Sequence, residues 1–151
     1  MEKITKECIW LIGCGKEKVG HAARPHDLYN SHYFRTKLNY ACRMSRDSEG
    51  ASLVYVLSGE YGLMDNDTLY EPYETSLNHF SDKRLREWSA MVNRQLRQRF
   101  DIDHCIFDVI AGVKYHRYID LPEMRVAFAR FGIGDQLRLM SPGRIRLPQV
   151  N

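Results

Sequence analysis

Three short apolar runs, each ending in glycine or another small residue, constrain the fold more than any other feature. They are ECIWLIG at residues 7–13, SLVYVLSG at 52–59 and HCIFDVIAG at 104–112. Their length and their β-branched and aromatic residues favour buried strands over helices. Continuous apolar runs are typical of parallel strands that are covered on both faces.

Helical patterns separate these runs. Apolar residues recur at helical spacing in residues 27–46 and again in 81–100, where Ser81 is a suitable N-cap. Residues 60–80 are rich in turn formers, and Pro72 argues against a regular strand there. For the C-terminal part we expect, in chain order, a short helix in 114–121, a strand in 125–131 and a loop in 132–137.

This alternation predicts an α/β fold: a single domain over residues 1–151, with a mostly parallel central sheet and helices on both faces. A length of 151 residues favours one domain with a proper core. No apolar run approaches the ~20 residues that span a bilayer, and the charged start MEKITKE lacks a signal-peptide core. The four cysteines have neither a C-x-x-C pair nor metal-ligand spacing. We therefore expect a cytoplasmic protein with reduced thiols, no membrane partner, no metal and no cofactor.

The three strand ends predict a ligand site. In a parallel sheet, residues 13–16, 58–62 and 111–115 follow strands that end at the same edge. Ligands of open α/β sheets bind outside the carboxyl ends of the strands, where small residues expose backbone N–H groups to anions. The predicted ligand-binding residues are Cys14, Lys16, Lys18, Ser58, Tyr61, Gly62, Tyr73, Gly112 and Tyr115.

Several of these residues also have ordinary structural explanations. The segment GCGK lacks the spacing of a P-loop, so its lysines are equally consistent with a solvated turn. Cys14 beside Lys16 and Lys18 is either a reactive thiol or, as we favour, a small residue that fits a crowded turn. Ser58 follows Val56 and Leu57, so it does not match the G-x-S-x-G nucleophile elbow. The tyrosines near the loops either stack on bases or line the rim of the core.

Charge is distributed unevenly. Seven acidic residues and no Lys or Arg lie between Asp47 and Phe80, although the whole chain carries a formal charge of +3. The 81–100 helix carries six basic residues on its polar faces. This asymmetry is consistent with a surface for phosphates or nucleic acid, and equally with an ordinary solvated surface.

Four motifs together carry a resemblance to a known family. LIGCGKEK, DLYNSHYF, VLSGEYGLMDNDTLYEPYETSL and FGIGDQLRLM, within residues 9–140, resemble small bacterial and phage domains of unassigned function. These domains look like compact relatives of the YaaA peroxide-stress family. The positions that match its strand-end lysine, S-x-x-Y-G loop and P-Y element are Lys16, Ser58, Tyr61, Gly62, Leu63, Pro72 and Tyr73.

The resemblance has functional implications. YaaA proteins are associated with DNA binding and the response to oxidative stress, and their core is distantly similar to base-recognising domains of the uracil-DNA glycosylase and archaeosine-synthase type. This chain is much shorter than YaaA and lacks the segment that serves there as a helix-hairpin-helix insert. The resemblance therefore gives little support to DNA binding by this chain.

The leading functional hypothesis is an enzyme that acts on a nucleobase, a nucleotide or a modified base, by N-glycosidic or related chemistry. The lysines would hold phosphate, and Tyr61 or Tyr73 would stack on the base. Glu60 or Glu74 would be the catalytic carboxylate, with Asp27 in reserve. The main alternative is a non-catalytic nucleic-acid-binding or stress-response module. A redox sensor built on Cys14 is a weaker alternative, because the sequence shows no resolving cysteine.

Overall fold

Five strands form one sheet in the computed structural model, which describes residues 6–45 and 50–142. The strands are β1 (Glu7–Gly13), β2 (Val54–Ser58), β3 (Gly62–Leu63), β4 (Cys105–Ile110) and β5 (Met124–Val126). Their order in the sheet is β3-β2-β1-β4-β5. All are parallel to their neighbours except β3, which pairs antiparallel with β2. The predicted α/β class with a mostly parallel sheet is confirmed.

Helices connect the strands across both faces of the sheet. They are α1 (Pro25–Leu28), α2 (His32–Met44), α3 (Asp82–Arg99), α4 (Val113–His116) and α5 (Ile133–Met140). Single 3₁₀ turns occupy Gly50–Leu53, Leu77–His79 and Ile102–His104. No helix in the described parts of the chain combines the length and the apolar character that crossing a membrane requires.

Alternate residues of the central strands β1, β2 and β4 enter two separate cores. Ile9 and Leu11 of β1 pack in a cluster with the apolar face of α3. Trp10 and Ile12, which point to the other face, pack with residues of α1, α2 and α5. The central strands are thus buried on both faces, as their continuous apolar sequences predict.

The long helix α3 begins and ends as its sequence predicts. Ser81 is its N-cap, and the Ser81 hydroxyl accepts a hydrogen bond from the Arg84 N–H at 3.1 Å. Its buried residues are Leu85, Trp88, Ser89, Val92 and Leu96. This spacing places one apolar stripe against the sheet and leaves the charged residues outside.

The helix expected in residues 27–46 is instead two helices, and residue 46 itself lies outside the described part. Tyr29 is extended and bridges to Lys18, which ends α1. Ser31 then starts α2, because its hydroxyl accepts a hydrogen bond from the Phe34 N–H at 3.3 Å. This cap satisfies one of the backbone N–H groups that the start of a helix leaves unpaired.

The C-terminal expectations differ from the structure, and the helix expected in 114–121 is limited to Val113–His116. The loop expected in 132–137 is wrong, because Ile133–Met140 forms α5, with Gly132 as its N-cap and Gly134 within it. Met140 is fully buried in the core beside α2, and this packing outweighs the low helix propensity of glycine. The strand expected in 125–131 is limited to Met124–Val126, because Phe128 has a φ of 61° and breaks the extended conformation.

The order of strands creates a switch point. From β1 the chain moves to β2 on one side, then returns past β1 to β4 on the other side. Ile12 consequently pairs with Val56 on one side and with Ile110 on the other. A crevice at the carboxyl ends of β1 and β4 is the usual ligand position in such sheets.

Candidate functional site

The carboxyl ends of β1, β2 and β4 bring the three predicted segments together. The backbone N–H of Cys14 donates to the carbonyl of Leu57 at 3.0 Å, which joins the first segment to the second. The Cys14 Sγ lies 3.1 Å from the hydroxyl of Tyr115, which joins the first to the third. Cys14 is half-buried at this carboxyl edge of the sheet.

Close packing at Gly13 keeps these elements in contact. A Cβ at this position would lie 3.3 Å from the Ala111 Cβ and 3.5 Å from both the Lys37 Nζ and a ring carbon of Tyr115. The first distance is shorter than ordinary van der Waals contact. A larger residue at 13 would therefore push β1 away from the residues that follow β4.

A buried lysine lies behind the thiol. Lys37, on α2, is 3 % exposed, and its Nζ donates to the carbonyl of Gly13 at 2.9 Å. The same ammonium lies 4.3 Å from the centre of the Tyr33 ring. Burial lowers the pKa of Lys37 to about 8, and negative charge on Cys14 opposes that shift. Lys37 is therefore a buried amine at the switch point whose pKa lies well below that of an exposed lysine.

Lys37 was not among the residues predicted from the sequence, although a signal was present. It lies three residues after Phe34 and four before Ala41, both of which are fully buried on the apolar face of α2. A lysine at that spacing is placed toward the core. A charged residue on an apolar face is therefore the signal that would have identified it.

The hydroxyls of three tyrosines lie near the Cys14 sulfur. The Tyr29 and Tyr73 hydroxyls are 2.6 Å apart. Burial raises the pKa of both well above the usual tyrosine value, and negative charge on Cys14 raises both further. Burial and then Cys14 act in the same way on the pKa of Tyr115. All three tyrosines thus remain neutral hydrogen-bonding groups at physiological pH.

Ser58 stabilises the turn after β2. Its side chain is fully buried, and its hydroxyl accepts hydrogen bonds from the N–H groups of Glu60 and Tyr61, each at 3.0 Å. In the same turn, Gly62 has a φ of 71°. This positive φ favours glycine, and a Cβ there would also displace the Gln95 Oε1, which accepts from the Leu63 N–H.

The other predicted ligand-binding residues lie around the crevice. Lys18 is half-buried, and its Nζ is 4.3 Å from the centre of the Tyr73 ring, whereas Lys16 is exposed. Tyr61 packs edge-on against Tyr73, with ring centres 5.4 Å apart. Gly112 is the exposed N-cap of α4. The two tyrosine rings on which a base was expected to stack therefore already contact each other.

The three predicted carboxylates lie in different places. Glu60 is exposed at the turn after β2 and accepts a hydrogen bond from the Thr75 hydroxyl. Glu74 is exposed in the following loop. Asp27 is exposed on α1, next to His26, whose ring contacts the carbonyl of Val54 at the amino end of β2. Glu60 is thus the carboxylate that a hydrogen bond fixes near the strand ends, and the catalytic roles stay predictions.

Two cavities lie at opposite edges of the sheet. The larger, of about 570 Å³, opens at the amino ends of β1 and β2, beside Glu7, Leu53 and Arg99. A smaller one of about 240 Å³ lies at the carboxyl end of β4 and includes Ala111 and Gly112. Size alone favours the first, but the switch point, the thiol and the buried lysine all lie at the second edge. We therefore assign the candidate site to the carboxyl edge.

Residues 9–142 match the model of a family of unknown function, DUF6884. The chain belongs to this family. The matched region contains all of the candidate site, from Cys14 through Lys37 to Tyr115. No curated protein and no solved structure matches the chain. The similarity to the YaaA family therefore stays a prediction from the sequence motifs.

Proposed function

We propose that this DUF6884 protein is an enzyme that acts on a nucleobase, a nucleotide or a modified base, bound at the carboxyl ends of β1, β2 and β4. The observation that carries the proposal is the contact between the Cys14 thiol and the Tyr115 hydroxyl beside the buried Lys37. Buried polar groups at a switch point, with a lysine whose pKa is lowered, are characteristic of functional sites. No other part of the described chain combines these features.

The crevice offers the groups that recognition of a nucleotide needs. Lys16 and Lys18 supply positive charge at the rim, where a phosphate would bind. The neutral hydroxyls of Tyr73 and Tyr115 can donate to or accept from polar groups of the ligand. Gly112, where a Cβ would meet no described heavy atom within 4 Å, leaves room for a planar ligand beside the backbone.

The expected reaction is cleavage of an N-glycosidic bond. The bond between the base nitrogen and the sugar carbon breaks, and water adds its oxygen to that carbon. One proton of the water passes to a general base of the protein, and the departing nucleobase gains a proton. A carboxylate stabilises the positive charge that develops on the sugar, and activates the water. Glu60 is the first candidate for this role, since Thr75 fixes its position, and Glu74 is the second.

Isosteric Glu→Gln variants test the proposed enzymatic activity. Glu60→Gln and Glu74→Gln should lower the release of free base from a panel of nucleosides, nucleotides and modified nucleosides, measured by liquid chromatography. The control is Glu71→Gln, because Glu71 is an exposed glutamate of the same loop whose backbone carbonyl, not its carboxylate, accepts from the Tyr61 hydroxyl. All three variants should keep the wild-type melting temperature. Equal activity in all three would contradict a carboxylate mechanism.

A non-catalytic nucleic-acid-binding module is the competing proposal, and it depends on the basic faces of α3. Arg86 pairs with Asp82 at 2.7 Å and Arg97 with Asp120 at 3.6 Å, so part of that charge is neutralised within the protein. Binding to long DNA or RNA that weakens steeply with salt would support this module. On this account, nucleic-acid binding should be abolished when Arg86, Arg94 and Arg97 are changed to Glu. The same binding should be unaffected by Glu60→Gln.

A further inference from the structure

A second feature of the carboxyl edge is the pocket of about 240 Å³ beside the crevice. It is enclosed by residues of α2, α4 and α5 and by the chain that follows β5. The residues that line it are Tyr33, Ala111, Gly112, Val113, His116, Ala127, Phe128, Ala129 and Gln136. Ala111 also packs against Gly13, so the pocket is continuous with the elements that hold Cys14.

One residue in the wall of this pocket has a strained backbone conformation. Phe128 has a φ of 61°, and it is the one non-glycine residue with positive φ in the described parts of the chain. A bulky residue rarely adopts this conformation, and such strain is concentrated at functional sites. The Phe128 ring packs edge-on against Tyr40, with ring centres 5.2 Å apart. Phe128, a residue of the pocket wall, therefore combines a strained backbone with a ring that packs against Tyr40.

Tyr33 provides a second aromatic surface, and its position is also fixed. Its hydroxyl donates to the Gln136 Oε1 at 2.7 Å, and the Gln136 amide donates in turn to the carbonyl of Phe131 at 2.7 Å. The Lys37 ammonium lies against the Tyr33 ring. The pocket thus adjoins the buried lysine of the candidate site.

His116 offers the pocket a free polar group. Its half-buried imidazole has no hydrogen-bond partner among the residues that the structure describes. Burial, followed by the charge of Arg117, lowers the pKa of His116. A neutral imidazole has one donor and one acceptor, which suits the edge of a heteroaromatic ring.

We propose that this pocket binds a single nucleobase, with the ring against Phe128 and Tyr33 and the polar edge at His116. The proposal rests on the function proposed above and names the subsite for the base. The volume lies below the ~300–1,000 Å³ of pockets for drug-sized ligands, so it suits a base without its sugar and phosphate. The sugar and phosphate would then lie in the crevice, toward Cys14 and the rim lysines.

Two leucine variants at equivalent helix caps form the test. Gly112 and Gly132 are the N-caps of α4 and α5, with φ of −64° and −69°, and a Cβ at either would contact no heavy atom within 4 Å. Gly112 lines the pocket, whereas Gly132 is absent from its lining. Gly112→Leu should therefore fill the pocket without disturbing the fold, and Gly132→Leu is the matched control.

The measurement is NMR titration of each protein with free adenine, guanine, cytosine and uracil. The wild type and Gly132→Leu should bind at least one base, and Gly112→Leu should weaken that binding by about tenfold or more, with an unchanged melting temperature. A third variant, His116→Leu, approximates the size of the side chain but removes its polar atoms. It should also weaken binding, by about tenfold.

The outcomes separate this inference from the proposed function. Equal binding by the wild type and both glycine variants would overturn the base subsite while leaving the proposed function intact. The base subsite is also overturned, and the proposed function kept, if the wild type releases bases from nucleosides yet binds no free base. If it neither binds a base nor releases one from any substrate of the panel, both proposals are wrong.

Discussion

The Cys14 thiol lies 3.1 Å from the Tyr115 hydroxyl, although the two residues are 101 positions apart in sequence. They meet because β1 and β4 are adjacent parallel strands, and each residue follows the carboxyl end of its strand. The Lys37 ammonium reaches the same point from α2 by its hydrogen bond to Gly13. Three elements thus converge on one thiol at the switch point.

The first prediction concerns the reactivity of the four cysteines. Burial and the hydrogen bond to Asp108 raise the pKa of Cys8 to about 11, and burial raises the pKa of Cys42 and of Cys105. The thiolate is the reactive form, so iodoacetamide at about pH 8 should label Cys14 more than about tenfold faster than Cys8. Peptide mass spectrometry measures the order of labelling. Equal, slow labelling of all four would show that Cys14 is only a small residue at a crowded turn.

The second prediction concerns the pH dependence of stability. Burial lowers the pKa of Lys37 from 10.5 to about 8, so between these values the unfolded chain binds more protons at this residue. The free energy of unfolding therefore contains a contribution that rises with pH over this window, whereas the full cost of burying the charge is present below it. Lys37→Met has no such titration. From about pH 7.5 to about pH 10, the wild type should gain about 2 kcal/mol relative to the variant.

Urea unfolding at several pH values measures this difference. Comparison with Lys37→Met cancels the contributions of the tyrosines and the cysteines, provided that their surroundings are unchanged. A difference between the two proteins that stays constant with pH would mean that Lys37 titrates as an ordinary exposed lysine.

The third prediction concerns Gly62. Its φ of 71° disfavours any side chain, and a Cβ would displace the Gln95 side chain, whose Oε1 accepts from the Leu63 N–H. Gly62→Ala should therefore lower the free energy of unfolding by about 2 kcal/mol. Gly20→Ala is the control, because a Cβ at Gly20 meets no described heavy atom within 4 Å. Chemical denaturation of both variants measures the effect, and equal stabilities would refute the steric argument.

The fourth prediction concerns the ion pair between β4 and β5. Asp108 is 7 % exposed, and its carboxylate accepts two hydrogen bonds from Arg125, both at 2.8 Å. Arg125→Met leaves this buried carboxylate without its cation and should cost about 1–3 kcal/mol, reduced from the value for a fully buried pair because Arg125 is largely exposed. The exposed pair of Arg138 with Asp135 provides the comparison. Arg138→Met should change stability by less than about 0.5 kcal/mol in the same denaturation experiment, and a similar loss in both variants would contradict this reasoning.

The sequence predicts the sheet better than the C-terminal elements, for physical reasons. Strands β1, β2 and β4 are buried on both faces, so their apolar runs are continuous and easily recognised. Helix α5 is different, because its stability depends on the burial of Met140 against distant parts of the chain, while Gly132 and Gly134 argue locally for a loop. A local sequence pattern does not reveal tertiary packing of this kind.

The candidate site, like the fold, could be predicted only in part from the sequence. The convergence of the segments containing Cys14, Ser58 and Tyr115 could be predicted, because topology alone sends parallel strand ends to one edge. The contribution of Lys37 could not be read from the strand ends, since it reaches the site from the middle of α2. The strained Phe128 was likewise hidden, because only the three-dimensional backbone reveals a positive φ.

The most direct test of the proposed function is to determine which edge of the sheet binds nucleotides. Titration of isotope-labelled protein with a panel of nucleosides and nucleoside 5′-monophosphates, followed by NMR of the backbone amides, distinguishes the two cavities. We predict shifts at Cys14, Gly112 and Tyr115, at the carboxyl ends of β1 and β4. Shifts confined to Ala51 and Asn66, which line the larger cavity at the opposite edge, or the absence of shifts with every compound, would contradict the proposed function.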